Sequence, residues 1–296
     1  MSLPARPVFS LLANALIYGT CWWPFRHLDN AGLHALWATA IVYSLLTLVV
    51  LILDKGLISR LFHRPELIAL ALAAGLTNAT FNWGLVIGDV VRVVLLFYLM
   101  PIWAALAGRW LLGESLGPAV IIRIICGLTG AALILYQPQS GFPLPRSPAD
   151  WLGLAGGFWF AINNVLLRRQ ASEPPLSMAF AMFVGGMAIP GLLAIGLSIY
   201  GAVPWPSLIT SWAPVTGLLA GGFALGNLML IYGAARLPAN VVSTILISEV
   251  LFAALSSYWI AGEALDALTI IGGLLIISAS LAAALSARPE PAPAKL

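Results

Sequence analysis

What most constrains this chain is a succession of long apolar runs separated by short polar breaks. Inside lipid there is no water for backbone N–H and C=O groups, so a single segment satisfies them only as a helix. Such a helix needs about 20 apolar residues. By that standard ten stretches span the membrane, at about 8–26, 33–53, 67–87, 90–112, 118–136, 151–170, 177–199, 212–235, 240–260 and 267–286. The connections between them are too short to fold as separate units. Only 8% of the residues are charged, against about 25% in soluble domains, so a water-facing surface cannot be coated. The expected fold class is an all-α integral membrane protein.

Charge and cysteine content exclude several classes. The excess of base is small, 14 Lys and Arg against 11 Asp and Glu, and offers no footprint for nucleic acid. Cys21 and Cys126 both lie in apolar runs, so neither a disulfide framework nor a zinc cluster is expected. The first run reads as a retained helix, because the Ala13-Asn14-Ala15 triplet comes too early to be a signal-peptide cleavage site.

Basic residues set the orientation. With the N-terminus inside, the inner connections carry Arg6, Lys55, Arg60, Arg64, Arg109, Arg168, Arg169, Arg236, Arg288 and Lys295, and the outer ones only Arg26, Arg92 and Arg146. Both termini are therefore expected in the cytoplasm. Trp22, Trp23, Trp37, Trp151, Trp205, Trp212 and Trp259 then fall near the outer boundary, as an aromatic belt of anchors.

The chain also resembles itself. A shift of 149 residues lays Pro65 on Pro214, Leu76 on Leu225, Asn78 on Asn227 and Gly84 on Gly233. In the same register ALAGRWLLGESL (105–116) lies over ALSSYWIAGEAL (254–265), and Ile121-Ile122 over Ile270-Ile271. A single gapless offset over so long a stretch marks a repeat. Each half holds five spans, an odd number, so the second half must enter the membrane upside down. Inverted repeats build many secondary transporters, with the substrate site near the midplane between the halves. A duplicated scaffold without a transport role is the alternative.

Two five-helix repeats with a Gly-Glu pair closing the fourth helix of each (Gly113-Glu114 and Gly262-Glu263) resemble the drug/metabolite transporter superfamily in its EamA form. So do Tyr18-Gly19-Thr20 in the first span and Trp159 followed by Arg168-Arg169 in the sixth. Within that superfamily the chain looks most like the YddG-type aromatic amino-acid exporters. The resemblance implies ten transmembrane helices as two inverted five-helix repeats around a central cavity. Residues 1–136 would form the first EamA-like repeat, 137–150 a periplasmic linker, 151–286 the second repeat and 287–296 a disordered cytoplasmic tail. It implies export of small metabolites from the cell across the inner membrane.

Polar groups inside a span are costly and turn toward protein or water. Asn14 shares a helix face with Tyr18, Asn78 shares one with Asn82 beside Phe81, and Trp159 shares one with Asn163. Asn227 is the repeat mate of Asn78. Asn240, Thr244 and Ser248 follow at steps of four, with Ser243 alongside. These amides and hydroxyls either contact a ligand or bridge helices, and for Thr244 and Ser248 bonding back to the preceding turn is the simpler role. Trp159 is the favoured stacking ring, with Tyr98 at similar depth.

Glu249 stands out, since a charge at the bilayer centre costs at least about 2.5–3.5 kcal/mol. It either couples proton movement or is a protonated acid bonded to a neighbouring helix. Glu114 and Glu263 sit at span ends and are expected to complete turns or cap the following helix. Pro101 interrupts the fourth span and is a candidate gating element. The glycines at 217, 221, 222 and 226, and at 153 and 157, form small-residue steps for close packing. Arg92 and Arg123 do not converge, which argues against strongly anionic substrates.

The candidate substrate-binding set is thus Asn14, Tyr18, Asn78, Phe81, Asn82, Tyr98, Trp159, Asn163, Asn227, Ser243, Thr244 and Ser248, with Glu249 for proton coupling and Pro101 for gating. The expected function is a secondary transporter exporting small zwitterionic metabolites, aromatic amino acids first. A broad-specificity or multidrug exporter, or a passive channel, are the alternatives. No His/Asp/Glu or Cys cluster and no serine elbow supports an enzyme. No cofactor, metal, nucleic acid or protein partner is expected; the partners are a small-molecule substrate and the lipid bilayer.

Overall fold

A computed structural model of the chain describes residues 5–88, 90–136, 145–207, 212–261 and 267–286. The side chains of Val86, Val90, Val91, Arg92, Ser257 and Ala261 are not among them. The Gly262-Glu263 pair, residues 137–144 of the 137–150 linker and the 287–296 tail also lie outside the described residues.

Among the described residues the protein is all helix, without a strand. In order these are α1 (Ala5–Thr20), α2 (Trp22–Asn30), α3 (Ala35–Leu53), α4 (Leu57–His63), α5 (Pro65–Ile87), α6 (Val90–Phe97) and α7 (Met100–Leu112). There follow α8 (Pro118–Ile134), α9 (Pro148–Arg169), α10 (Pro175–Ile199), α11 (Ala213–Ala234), α12 (Ala239–Leu246), α13 (Ser248–Ala261) and α14 (Ala267–Ser286). Seven stretches are long and apolar enough to cross a membrane: Ala5–Asn30, Ala35–Leu53, Val93–Leu112, Pro175–Ile199, Ala213–Ala234, Ala239–Ile260 and Ala267–Ser286. This is a multi-pass membrane protein. Helix α8, at 17 residues, is apolar but short, whereas α5 and α9, at 23 and 22 residues, have the length.

Three expected spans are broken, each for a visible reason. Pro24 has no N–H for the Thr20 carbonyl, so the ladder lapses at Cys21 and α2 begins at Trp22. Pro101, in the first turn of α7, likewise leaves the Phe97 carbonyl without its helical donor, and Tyr98-Leu99 form a turn. The third break, at Ile247, has no proline. There the Ser248 hydroxyl donates to the Ile245 carbonyl at 2.6 Å, and the Val250 N–H bonds Ile247 three residues back.

The offset of 149 also relates helix boundaries. Shifted by 149, Val90–Phe97 coincides with Ala239–Leu246, end for end, and the break at Tyr98 falls on Ile247. Pairing between the halves is reciprocal as well. Helix α5 packs on α9 and α10, while α11 packs on α1 and α3; α6 and α7 pack on α9, while α12 and α13 pack on α1. Helices α8 and α14 pack against each other.

Between apolar helices in lipid, association rests on close packing, so small residues mark the contacts. A Cβ on Gly130 would lie 2.6 Å from the Gly272 carbonyl oxygen, and one on Gly272 would lie 2.5 Å from that of Gly130. Gly153 and Gly157 of α9 abut the Val93 and Phe97 carbonyls of α6, and Gly185 of α10 abuts Ala71 of α5. The glycines of α11 behave otherwise. Gly217 and Gly221 face open space, whereas Gly226 is tight against the Tyr18 ring and Gly233 against Leu11, so close packing on α1 is confined to the second half of α11.

Candidate functional site

A cavity of about 350 Å³ lies among α1, α2, α3, α5, α6, α9, α10, α11 and α13. It is lined by Asn14, Tyr18, Asn78, Phe81, Asn82, Tyr98, Asn163, Asn227 and Glu249 of the residues expected from sequence. Each reaches it because its helix turns a polar or aromatic stripe inward while the apolar remainder faces outward.

The amides are tethered as well as exposed to the cavity. Asn14 Nδ2 donates to the Gly226 carbonyl at 2.8 Å, tying α1 to α11. Asn227 Nδ2 donates at 2.8 Å to both the Tyr18 hydroxyl and the Phe223 carbonyl. Asn78 Nδ2 bonds the Ala74 carbonyl at 2.9 Å, and Asn82 Nδ2 the Thr39 hydroxyl at 2.7 Å. The Asn163 carbonyl oxygen, by contrast, is buried without a partner. Glu249, in the first turn of α13, meets the Tyr98 hydroxyl at the break between α6 and α7.

Rings fill the rest of the wall in two groups. Phe223 stacks on Tyr18 at 5.0 Å and tilts against Tyr43 at 5.6 Å and Phe25 at 6.0 Å. Phe97 meets Phe81 at 4.4 Å, Phe160 at 5.6 Å and Tyr98 edge-on at 5.7 Å. Phe25, Tyr43, Phe97, Phe160 and Phe223 were not foreseen from the sequence. Hydropathy cannot tell a ring that faces lipid from one that faces a cavity, though Phe160 sits three residues before Asn163.

Other expected residues lie elsewhere. Trp159 does not line the cavity. It packs edge-on against Phe158 at 5.2 Å, and Phe158 against Trp103 at 5.8 Å. Positions three and four before Asn163 flank it on either side, and the cavity takes Phe160 instead. Ser243 and Thr244 are buried and bond back to the Asn240 carbonyl at 3.2 and 2.7 Å, as Ser248 does to Ile245. Pro101 is buried beside the break it creates. Trp22, expected in the outer belt, lines the cavity and donates to Ser256 at 2.9 Å.

Glu114 does not cap the helix that follows it. Its carboxylate crosses to the N-terminus of α12, accepting from Ala239 N–H at 2.7 Å, Asn240 Nδ2 at 2.9 Å and Asn240 N–H at 3.5 Å. Burial pushes its pKa up, against the pull of these bonds and of Arg168. Nearby, Arg168 donates to the Ala235 carbonyl at 3.0 Å. Arg123 reaches Ser286 and the Ala282 carbonyl, joining α8 to α14.

The sequence profile of the EamA-like transporter family matches residues 5–136 and 147–285, which is nearly the whole chain. The chain belongs to the EamA-like transporter family. Members carry small molecules across membranes and are not enzymes, and the cavity among the helices is where such cargo has room. A solved structure described only as "Crystal structure of protein" shares the fold at a TM-score of 0.76. It is 17% identical, with 95% of this chain and 98% of that one covered. No curated protein matches.

Proposed function

We propose that this EamA-like transporter is a ten-helix secondary carrier of two inverted repeats, exporting small zwitterionic metabolites with an aromatic part by alternating access. Aromatic amino acids are its first candidates. The observation that carries the reading is the cavity itself: amides of Asn14, Asn78, Asn82, Asn163 and Asn227 interleaved with two groups of rings. Amides bond ammonium and carboxylate ends, and rings stack on an aromatic body. The reciprocal helix pairing and the coincident breaks at Tyr98 and Ile247 support the inverted repeat. The asymmetry of Lys and Arg between connections supports insertion in the inner membrane with both termini cytoplasmic.

Glu249 is the coupling residue in this reading, because it is a carboxyl on the cavity wall that can carry a proton between access states. Trp159 has no part in binding, and Ser243, Thr244 and Ser248 serve packing. Pro101, at the break in the fourth span, lets α6 move against α7. A broad multidrug exporter is the second reading, favoured by the mainly aromatic and aliphatic wall around few fixed polar groups.

Uptake of labelled phenylalanine and tryptophan into proteoliposomes, with and without a pH gradient, tests the proposal. Saturable uptake driven by the gradient, with accumulation lost in Glu249→Gln, is expected. Transport of lipophilic cations but of no amino acid would replace the first reading with the second.

A further inference from the structure

Two acceptors on the described cavity wall stand out, the Glu249 carboxyl and the Asn163 carbonyl oxygen. Among the described lining residues Glu249 is the single acid, and there is no Lys, Arg or His. A buried carboxylate without a counter-charge is costly. Glu249 stands in the first turn of α13. The Tyr98 hydroxyl is its one side-chain partner of note. Asn163, 1% exposed, offers a carbonyl oxygen that no protein group meets.

The Nδ2 groups of Asn14, Asn78, Asn82 and Asn227 each give an N–H to a protein acceptor, at 2.7–2.9 Å, and no cation stands beside them on the described wall. A ligand carboxylate would meet the like charge of Glu249 and no cation to balance it. A primary ammonium brings three N–H donors and the missing positive charge in one group. Phe97 adjoins Tyr98 and packs with Phe81 and Phe160, so an aromatic body attached to that ammonium meets rings on the same cavity wall, and ring faces themselves attract a cation.

We propose that this cavity selects its ligand by a cationic amine, with Glu249 and Asn163 as acceptors, so that the preferred class is aromatic monoamines. The inference rests on the reading of this cavity as the transport site, and it changes the class of cargo. Amino acids remain ligands through their ammonium end.

The test compares four probes of one size with the purified protein: phenethylamine, 2-phenylethanol, 3-phenylpropionate and phenylalanine. Calorimetry gives their affinities, and inhibition of labelled-phenylalanine counterflow gives their order in transport. Phenethylamine is expected to bind at least about tenfold more tightly than the alcohol or the acid. Glu249→Gln is expected to bring amine and alcohol within about threefold while keeping the alcohol affinity. The probe order in the unaltered protein decides the matter even where the variant fails to fold. Equal affinity for amine and alcohol, or tightest binding of the acid, overturns the proposal. Counterflow of phenylalanine that phenethylamine does not inhibit overturns it while leaving the transport reading intact. Absence of both binding and counterflow overturns both.

Discussion

Removal of the Glu114 carboxylate is the perturbation whose size follows most directly from the structure. Glu114 links the turn after α7 to the N-terminus of α12, and the groups it serves are enclosed: Ala239 is fully buried and Asn240 nearly so. Leu237 and Leu167, in the same region, are also fully buried. Glu114→Ala leaves the first N–H groups of α12 without an acceptor. Loss of a cap costs about 1 kcal/mol, and loss of the Asn240 side-chain bond about 1 kcal/mol more. Because these bonds cannot survive separation of α7 from α12, the whole of that about 2 kcal/mol falls on the closed arrangement, a shift of about thirtyfold toward opening. The assay is the rate at which a membrane-impermeant maleimide labels Ser243→Cys from the Glu114 side, in a protein with Cys21 and Cys126 replaced by serine. A rate about thirtyfold higher in the Glu114→Ala background is expected at unchanged helix content. An unchanged rate from well-folded protein would refute the latch.

Four further outcomes follow from named contacts. Because burial raises the Glu114 pKa, the folded protein holds that proton more tightly than the unfolded chain; its stabilising effect is complete below the ordinary carboxylate range and declines as pH rises through the raised value. Glu114→Gln should flatten this slope in thermal melts taken between pH 4 and pH 8, a range that spans carboxylate titration. Gly185→Ala drives a methyl into the Ala71 carbonyl and should cost about 1–3 kcal/mol, whereas Gly217→Ala, which meets nothing, should be neutral or stabilise by up to about 1 kcal/mol; thermal melts in one detergent compare them. Asn227→Leu strips the Tyr18 hydroxyl of its donor and should lower stability by about 1–3 kcal/mol while abolishing ligand binding. Phe223→Ala removes the ring that Tyr18, Tyr43 and Phe25 share and should weaken binding of an aromatic ligand by about tenfold in calorimetry, with Trp159→Ala leaving it unchanged.

Much of this was legible from the apolar runs, because lipid leaves a helix as the one available solution and the polar exceptions on a span must turn inward. That logic found Asn14, Asn78, Asn82, Asn163, Asn227 and Glu249 on the cavity wall. It could not sort aromatics. Trp159 and Phe160 are neighbours in sequence about 100° apart on α9, and hydropathy is blind to which of them faces the cavity. The hydroxyls of α12 were ambiguous for a related cause: Ser243 and Thr244 can satisfy themselves on Asn240 and so reveal nothing about direction. Gly217 and Gly221 of α11 match a packing pattern but meet no neighbour within 4 Å, whereas Gly226 of the same pattern packs on Tyr18. Local sequence offers Glu114 only a turn or a cap for the next helix, whereas its acceptor role joins it to a residue 125 positions away. Contacts across the two halves are set by how the repeats meet, which no local window contains.

The central claim is that the cavity is a carrier site opened to one side at a time, and counterflow tests it most directly. Proteoliposomes loaded with excess unlabelled phenylalanine are diluted into buffer holding a trace of the labelled amino acid. The account predicts a transient rise of internal label above the external level, followed by decay, and its loss in Asn227→Leu. A monotonic approach to the external level, with no overshoot, would mean a channel and would contradict it.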